Sequence, residues 1–286
     1  MAEEFKRIEQ PSGSFLLNVE PSPIDERDFV AETIYPTTVN YPAELDYRPM
    51  LQPIRNQGSQ GTCSAQVAAC IKEYQEKKLQ NLSGLDDKMS PQFIYNIRPE
   101  PDYEGMTPRE TMQLLQKIGI CREAIYPYGL KDNYTSIPQD AFADAENFKI
   151  DNYAQINTVE GLKKALYTDG VCYVCFPVFN ETPRMWKARQ GETNMGGHAM
   201  AIVGYNSKGF IIRNSWGDNW GDNGYTIYPY EDWGAHIEIW TSVDTSSAWP
   251  VFDVNEYLQP IKASNLLWIG FALLLVYVFW GNKKLK

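Results

Sequence analysis

Apolar positions follow two different patterns along this chain, one after the other. In the first part they recur at helical spacing. Val67, Cys70, Ile71 and Tyr74 stand at i, i+3, i+4 and i+7 within "CSAQVAACIKEYQEKK", which predicts a helix with Cys63 at its first turn. "SPQFIYNIR" predicts a second helix, with Ser90 as N-cap and Pro91 at its first position. "TPRETMQLLQKIGI" predicts a third: Thr107 caps it, Pro108 follows, Glu110 completes a capping box and Gly119 ends it. "TVEGLKKALYTDG" predicts a fourth, ending at Gly170. The runs that follow, "VCYVCFPVF", "HAMAIVGYN", "GFIIRNSW" and "GYTIYPY", are short, β-branched and aromatic, and are broken by Gly and Asn, as strands are. Helices first and strands second predict an α+β protein of two lobes.

Two stretches fit neither pattern. Residues 1–44 are rich in Pro, Asp and Glu and show little periodicity, so they are expected as an extended leader draped on the surface, with modest occlusion of any cleft beneath. Residues 263–281, "ASNLLWIGFALLLVYVFWG", run for 19 residues without a charge. A helix of that length crosses a bilayer core at about 1.5 Å per residue. Trp268 and Trp280 near its ends, with Lys262 before it and Lys283, Lys284 and Lys286 after it, are the flanks of such a span. The layout read from sequence is a leader over 1–44 and a catalytic domain over 45–247. Within that domain a helical lobe is expected over about 60–148 and a β lobe over about 149–247. A tether over 248–262, a transmembrane helix over 263–281 and a basic tail over 282–286 follow.

A net charge of −10, with no long basic run, argues against a nucleic-acid partner. Five cysteines without framework spacing read as reduced thiols. Cys172 and Cys175 form a CxxC inside an apolar strand-like run, where thiols act as small core hydrophobes. Two histidines, His198 and His236, are too few for a histidine metal cluster, so no metal and no cofactor is expected. His236 matches no motif and reads as a packing residue.

Cys63 sits where a glycine-rich loop meets a helix, and a helix N-terminus favours thiolate over thiol. Such a nucleophile needs a base and donors for an oxyanion. His198 opens a strand, and Asn214, sixteen residues later, offers an amide oxygen to orient the ring.

The segments "NQGSQGTCSA", "GGHAMAIVGYN" and "IIRNSWGDNWGDNGY", in this order, resemble the nucleophile, histidine and asparagine segments of the papain-like cysteine proteases. "LDYRPMLQPIRNQG" is similar to the start of a mature enzyme of that family. The resemblance covers roughly residues 45–245 and is to the bacterial and viral branches. It implies a papain-like two-lobe fold, a helical left lobe and a β-barrel-like right lobe, beside the C-terminal transmembrane helix. It implies roles as well. Cys63 attacks the scissile carbonyl, His198 pairs with it, Asn214 orients His198, and Gln57 with the Cys63 N–H holds the oxyanion. Trp216 shields the Asn–His contact. Gly105 is placed near the unprimed side of the cleft and Gly197 beside it. The substrate is a protein or peptide. Ser64 stands where the family has an aromatic, and Gln60 where it has a disulfide cysteine. The leader is about half the family's length.

The function expected is a membrane-anchored cysteine endopeptidase, its lipid partner reached through residues 263–281 and its catalytic domain facing the cytosol, or lying on an internal virion membrane. The lysines after the span favour the opposite orientation. The absence of a signal sequence and the reduced thiols weigh against that. The competing reading is a catalytically idle module of the same fold, acting as a membrane-bound structural or binding protein. Acyl transfer to an amine would use the same triad.

Overall fold

The computed structural model describes residues 7–10, 13–35, 39–79, 88–129 and 135–243. The leader supplies its first elements. β1 (Arg7–Gln10) pairs antiparallel with β2 (Gly13–Leu16), and a short helix α1 (Ala31–Ile34) follows. The leader is not simply draped outside: Phe15, Leu16, Leu17, Asn18 and Val19 are all buried. The apolar run "FLLNV" explains the difference, since each fully buried side chain of this kind is worth about 1.5–3 kcal/mol.

β3 (Leu45–Asp46) enters the domain and pairs with a later strand. α2 (Cys63–Leu79) is buried from Cys63 to Gln75, not only on the Val67–Tyr74 stripe. α3 (Pro91–Asn96) and α4 (Pro108–Lys117) pack against it from the helical side. Its buried charges are therefore paired: Lys72 Nζ reaches the Lys149 carbonyl at 3.0 Å and Glu76 at 2.9 Å, and Glu73 takes Arg55 at 2.6 Å. The caps fall where the side chains direct them. Ser90 accepts from the Phe93 N–H, and Thr107 with Glu110 forms a complete capping box. α5 (Gln139–Ala145) and β4 (Asn152–Gln155) have no counterpart among the sequence expectations. Both are short, and neither shows a full period of its pattern.

α6 (Val159–Thr168) is capped by Thr158 and ends at Asp169 and Gly170. β5 (Cys172–Pro177), β6 (Gly197–Tyr205), β7 (Gly209–Arg213) and β8 (Tyr225–Pro229) match the four expected runs, and β9 (Glu238–Val243) adds one more. Among the described residues these strands form a seven-stranded sheet in the order β4-β9-β5-β6-β7-β8, with β3 on β6. The pleat splits the core in two. Tyr173, Cys175, Ala199, Ala201 and Val203 face α2 and the helices. Cys172, Val174, Phe176, Met200 and Ile202 face the other way, toward α6 and a cluster of aromatics. The CxxC therefore puts its thiols on opposite faces, both fully buried, and all five cysteines are free.

Among the described residues no helix is long and apolar enough to cross a membrane. The expected tether, span and basic tail, residues 248–286, lie outside the described residues.

Candidate active site

The middle of the site is a junction between a helix end and a strand start. Cys63 is the first residue of α2, and α2 packs on β6, whose second residue is His198. The backbone N–H of Ala199, next along β6, lies against the Cys63 sulfur, so the thiol and the imidazole come from neighbouring backbones. His198 is 0% exposed. Its Nε2 lies 2.7 Å from Asn214 Oδ1, and that oxygen also accepts from the Ser215 N–H at 2.7 Å. An amide oxygen only accepts, so Nε2 carries the hydrogen. Nδ1 is then the bare lone pair, and it has no hydrogen-bond partner. Trp216 covers the ring at 4.4 Å between centroids and keeps the contact dry.

Gln57 reaches the same place by backbone pairing. Its N–H donates to the Ser215 carbonyl at 2.8 Å, and the Gly217 N–H donates to the Arg55 carbonyl at 3.0 Å. The side-chain amide is oriented at both ends: Ser215 Oγ donates to Oε1 at 2.7 Å, and Nε2 donates to the Gln60 carbonyl at 3.1 Å. A second Nε2 hydrogen remains for a ligand. Ser215 and Tyr128, whose hydroxyl donates to the Gln57 carbonyl at 2.6 Å, were not identified from sequence, and Gln60 only as a departure from the family's cysteine. A serine directly after the asparagine is the one signal that could have pointed to them.

The electrostatics differ from the sequence expectation for Cys63. The helix N-terminus does not win here. Burial pushes the thiol up, against the opposing pull of the Ala199 and Ser64 N–H groups and the Ser64 hydroxyl. Burial also lowers His198 to about 4, against the opposing effect of the Asn214 contact. In this arrangement both groups are neutral. Ser64, in place of an aromatic, hydrogen-bonds Tyr173 at 2.8 Å, and Gln60 pairs with Gln92 at 2.9 Å.

The leader lies over this junction. Asn18 bridges Gly197 in parallel, and the Val19 N–H donates to the Gly197 carbonyl at 3.2 Å. Phe15 stacks on Trp216 at 4.9 Å. Val19 shares a core cluster with Cys63. The expected glycines are where the strap comes closest. A Cβ on Gly105 would sit 1.9 Å from the Asn18 carbonyl oxygen, and one on Gly197 would sit 2.1 Å from that of Val19. Only glycine admits such an approach. The Gly105 loop is pinned by Arg98, which donates to the carbonyls of Tyr95, Pro101 and Tyr103. His236 lies away from this junction, its Nδ1 at 3.0 Å from the Tyr228 hydroxyl. Among the described residues no cluster of His, Cys, Asp and Glu could hold a metal ion.

Residues 41–242 match the family model described as papain family cysteine protease. An uncharacterized peptidase C1-like protein of Acanthamoeba polyphaga mimivirus is 30% identical over 200 residues, covering 62% of this chain and 64% of the relative. Peptidase 1 of Dermatophagoides pteronyssinus is 32% identical over 206 residues, covering 66% and 61%. The chain thus spans slightly under two thirds of the length of these relatives. Among solved structures, xylellain, a cysteine protease from Xylella fastidiosa, superposes with a TM-score of 0.70 at 24% identity, over 85% of this chain and 99% of its own. The procathepsin L2 proteinase of Tenebrio molitor larval midgut gives 0.63 at 24%, over 78% and 76%. The chain belongs to the papain family of cysteine proteases.

Proposed function

We propose that this protein is a membrane-anchored cysteine endopeptidase whose leader holds it closed. The observation that carries the reading is the 2.7 Å contact between His198 Nε2 and Asn214 Oδ1, which leaves Nδ1 as a bare base beside the helix that starts at Cys63. With the leader displaced, the Cys63 proton passes to His198 Nδ1. The thiolate attacks the scissile carbonyl carbon, a C–S bond forms, and the carbonyl electron pair moves to oxygen. The Cys63 N–H and the free Nε2 hydrogen of Gln57 hold that oxyanion. The imidazolium gives its proton to the leaving amine as the C–N bond breaks. Water, deprotonated by His198, then cleaves the thioester and restores the thiol.

The leader crosses the proposed cleft against the direction of a substrate. The leaving amine must lie beside His198, so substrate residues on the carboxyl side of the scissile bond pass Trp216. The leader begins its crossing with Phe15 on Trp216 and proceeds toward Gly105, opposite to a substrate. The backbone at Gly105 and Gly197 takes the substrate strand once the leader is gone. Membrane attachment rests on the uncharged 19-residue run at 263–281, with the catalytic domain on the cytosolic side. Deleting 263–286 is expected to move the protein from carbonate-washed vesicles to the supernatant.

The alternative is an idle module, and the neutral thiol and the His198 pKa of about 4 are compatible with it. Hydrolysis of a fluorogenic peptide library by the full chain carrying Leu17→Asp separates the two. A charge buried at Leu17, which is 3% exposed, opens the strap. Hydrolysis that disappears when Cys63→Ala is added supports the peptidase. No hydrolysis by the opened chain supports the idle module.

A further inference from the structure

Behind the catalytic junction, between α2 and the sheet, lies a cavity of about 20 Å³ that the triad does not use. Gln66 and Val67 of α2 line it, with Met200 on β6 and Asn214 and Ser215 just after β7. Two polar atoms of these residues are buried and have no hydrogen-bond partner. They are Nδ2 of Asn214, a residue 3% exposed, and Oε1 of Gln66, a residue 5% exposed. The first is a donor and the second an acceptor, and groups of this kind are costly to bury unpaired. The arginines beside them are already engaged. Arg55 holds Glu73 at 2.6 Å, and Arg213 donates to the Tyr225 hydroxyl at 3.0 Å and the Pro53 carbonyl at 2.7 Å.

The Gln66 amide is held in one direction. Tyr128 donates its hydroxyl to the Gln57 carbonyl at 2.6 Å, so in the 2.7 Å contact between the Tyr128 and Thr62 hydroxyls the donor is Thr62. Thr62 Oγ1 is then the acceptor for Gln66 Nε2, at 3.5 Å. That leaves Oε1, the other end of the amide, for the cavity wall. A one-way chain of hydrogen bonds thus runs from Gln66 through Thr62 and Tyr128 to Gln57, the oxyanion donor. At its other end it stops one step short of Asn214, which orients the imidazole.

We propose that Gln66 is a positioning residue that holds the Asn214 amide, through one buried water, with Oδ1 toward His198. The inference rests on the peptidase reading and adds a residue to its machinery. A cavity of this volume takes a single water, for which about 10–15 Å³ is enough. The water accepts from Asn214 Nδ2 and donates to Gln66 Oε1. An anion there would face the Gln66 oxygen and the Glu73 carboxylate, and a cation would face Arg55 and Arg213. The lining therefore selects a neutral ligand that both donates and accepts. The consequence falls on the imidazole. An Asn214 amide turned end for end would present Nδ2 to His198 Nε2. The ring would then carry its hydrogen on Nδ1, where Cys63 needs a base. An acceptor for Nδ2 on the cavity side disfavours that orientation.

The test reads the ring tautomer. The chain has two histidines, so ring ¹⁵N spectra of the full chain hold one pair of signals for each, and His236→Gln assigns them. At neutral pH His198 is expected as the Nε2–H tautomer alone. Gln66→Met is expected to move the His198 pair toward the Nδ1–H form while the His236 pair stays in place. An unmoved His198 pair, or both pairs moving together, overturns the proposal. In the full chain opened by Leu17→Asp, Gln66→Met is expected to lower kcat by about fivefold to tenfold, the worth of one hydrogen bond, with KM within about twofold. A change in KM alone overturns the positioning role. The wild type supplies a check that needs no variant. A crystal structure of the full chain is expected to show ordered water within hydrogen-bond reach of both Asn214 Nδ2 and Gln66 Oε1, and its absence overturns the proposal. A chain that hydrolyses nothing but shows the tautomer shift refutes the peptidase reading and retains Gln66 as the residue that holds Asn214.

Discussion

Cys63 and Cys175 are both buried, 1% and 0% exposed, and burial pushes both thiols up. What covers them differs. Cys175 lies inside β5, between β6 and β9, with Ala199 and Glu238 as its register partners. Nothing short of opening the sheet uncovers it, and the Glu238 carboxylate raises it further. Cys63 starts a helix, has N–H donors from Ala199 and Ser64 beside it, and lies by the Gly197–Ala199 stretch of β6 that the leader meets at Asn18 and Val19. Burial silences both thiols, but in the proposed reading the cover at Cys63 is the leader, and the donors stay when it lifts. Reactivity here is set by how the burial can be undone, not by its extent.

The largest effect should come from exchanging the two thiols for alanine. Cys63→Ala is expected to lower hydrolysis by the opened chain by about 10⁵-fold, and Cys175→Ala to leave it within about threefold. Comparable losses would dissolve the distinction. Asn214→Ala frees the imidazole to rotate and to take the wrong tautomer. It is expected to lower kcat by about 10²–10³-fold with little change in KM, and a KM effect alone would contradict the orienting role.

The neutral imidazole sharpens the comparison through pH. His198 titrates near 4 when folded and near 6.5 when unfolded. Below 6.5 the unfolded chain binds a proton that the folded chain refuses, so stability falls as pH drops from 6.5 to 4. Asp169 acts oppositely, since burial raises it to about 6, and it loses stability as pH rises from 3.8 through that value. Urea titrations of the wild type and His198→Gln isolate the first group. The wild type should lose roughly 2–3 kcal/mol more than the variant between pH 7 and 4, and parallel curves would contradict the assignment. The smallest effect is at Cys175→Ser, where a hydroxyl without a partner should cost about 1–3 kcal/mol of stability at unchanged activity in the opened chain.

Much of the helical half could be read from local chemistry. Ser90, Thr107 and Glu110 declare their caps within four residues, and the structure uses them so. The positions of Cys63, His198 and Asn214 on helix start, strand start and strand end also followed from their own surroundings. Other features depend on partners far along the chain. Ser215 is unremarkable until Gln57 comes within 2.7 Å of it, and Glu238, on β9, until the Ser22 N–H donates to it at 2.5 Å. The leader misled for a related reason. Its prolines and acids suggested a surface run, whereas the five residues "FLLNV" decide where it goes. The direction of the Cys63 shift was not legible because helix-end electrostatics is local, while the burial that pushes the thiol up comes from core packing contributed by distant parts of the chain.

The removable cover over Cys63 is tested most directly by iodoacetamide labelling of the intact full-length chain at neutral pH, mapped by mass spectrometry to each of the five cysteines. Leu17→Asp is expected to speed modification of Cys63 by about tenfold or more over the wild type, with Cys70, Cys121, Cys172 and Cys175 unmodified in both. Equal rates at Cys63 in the two proteins, or labelling of Cys175 that keeps pace with it, would contradict the account.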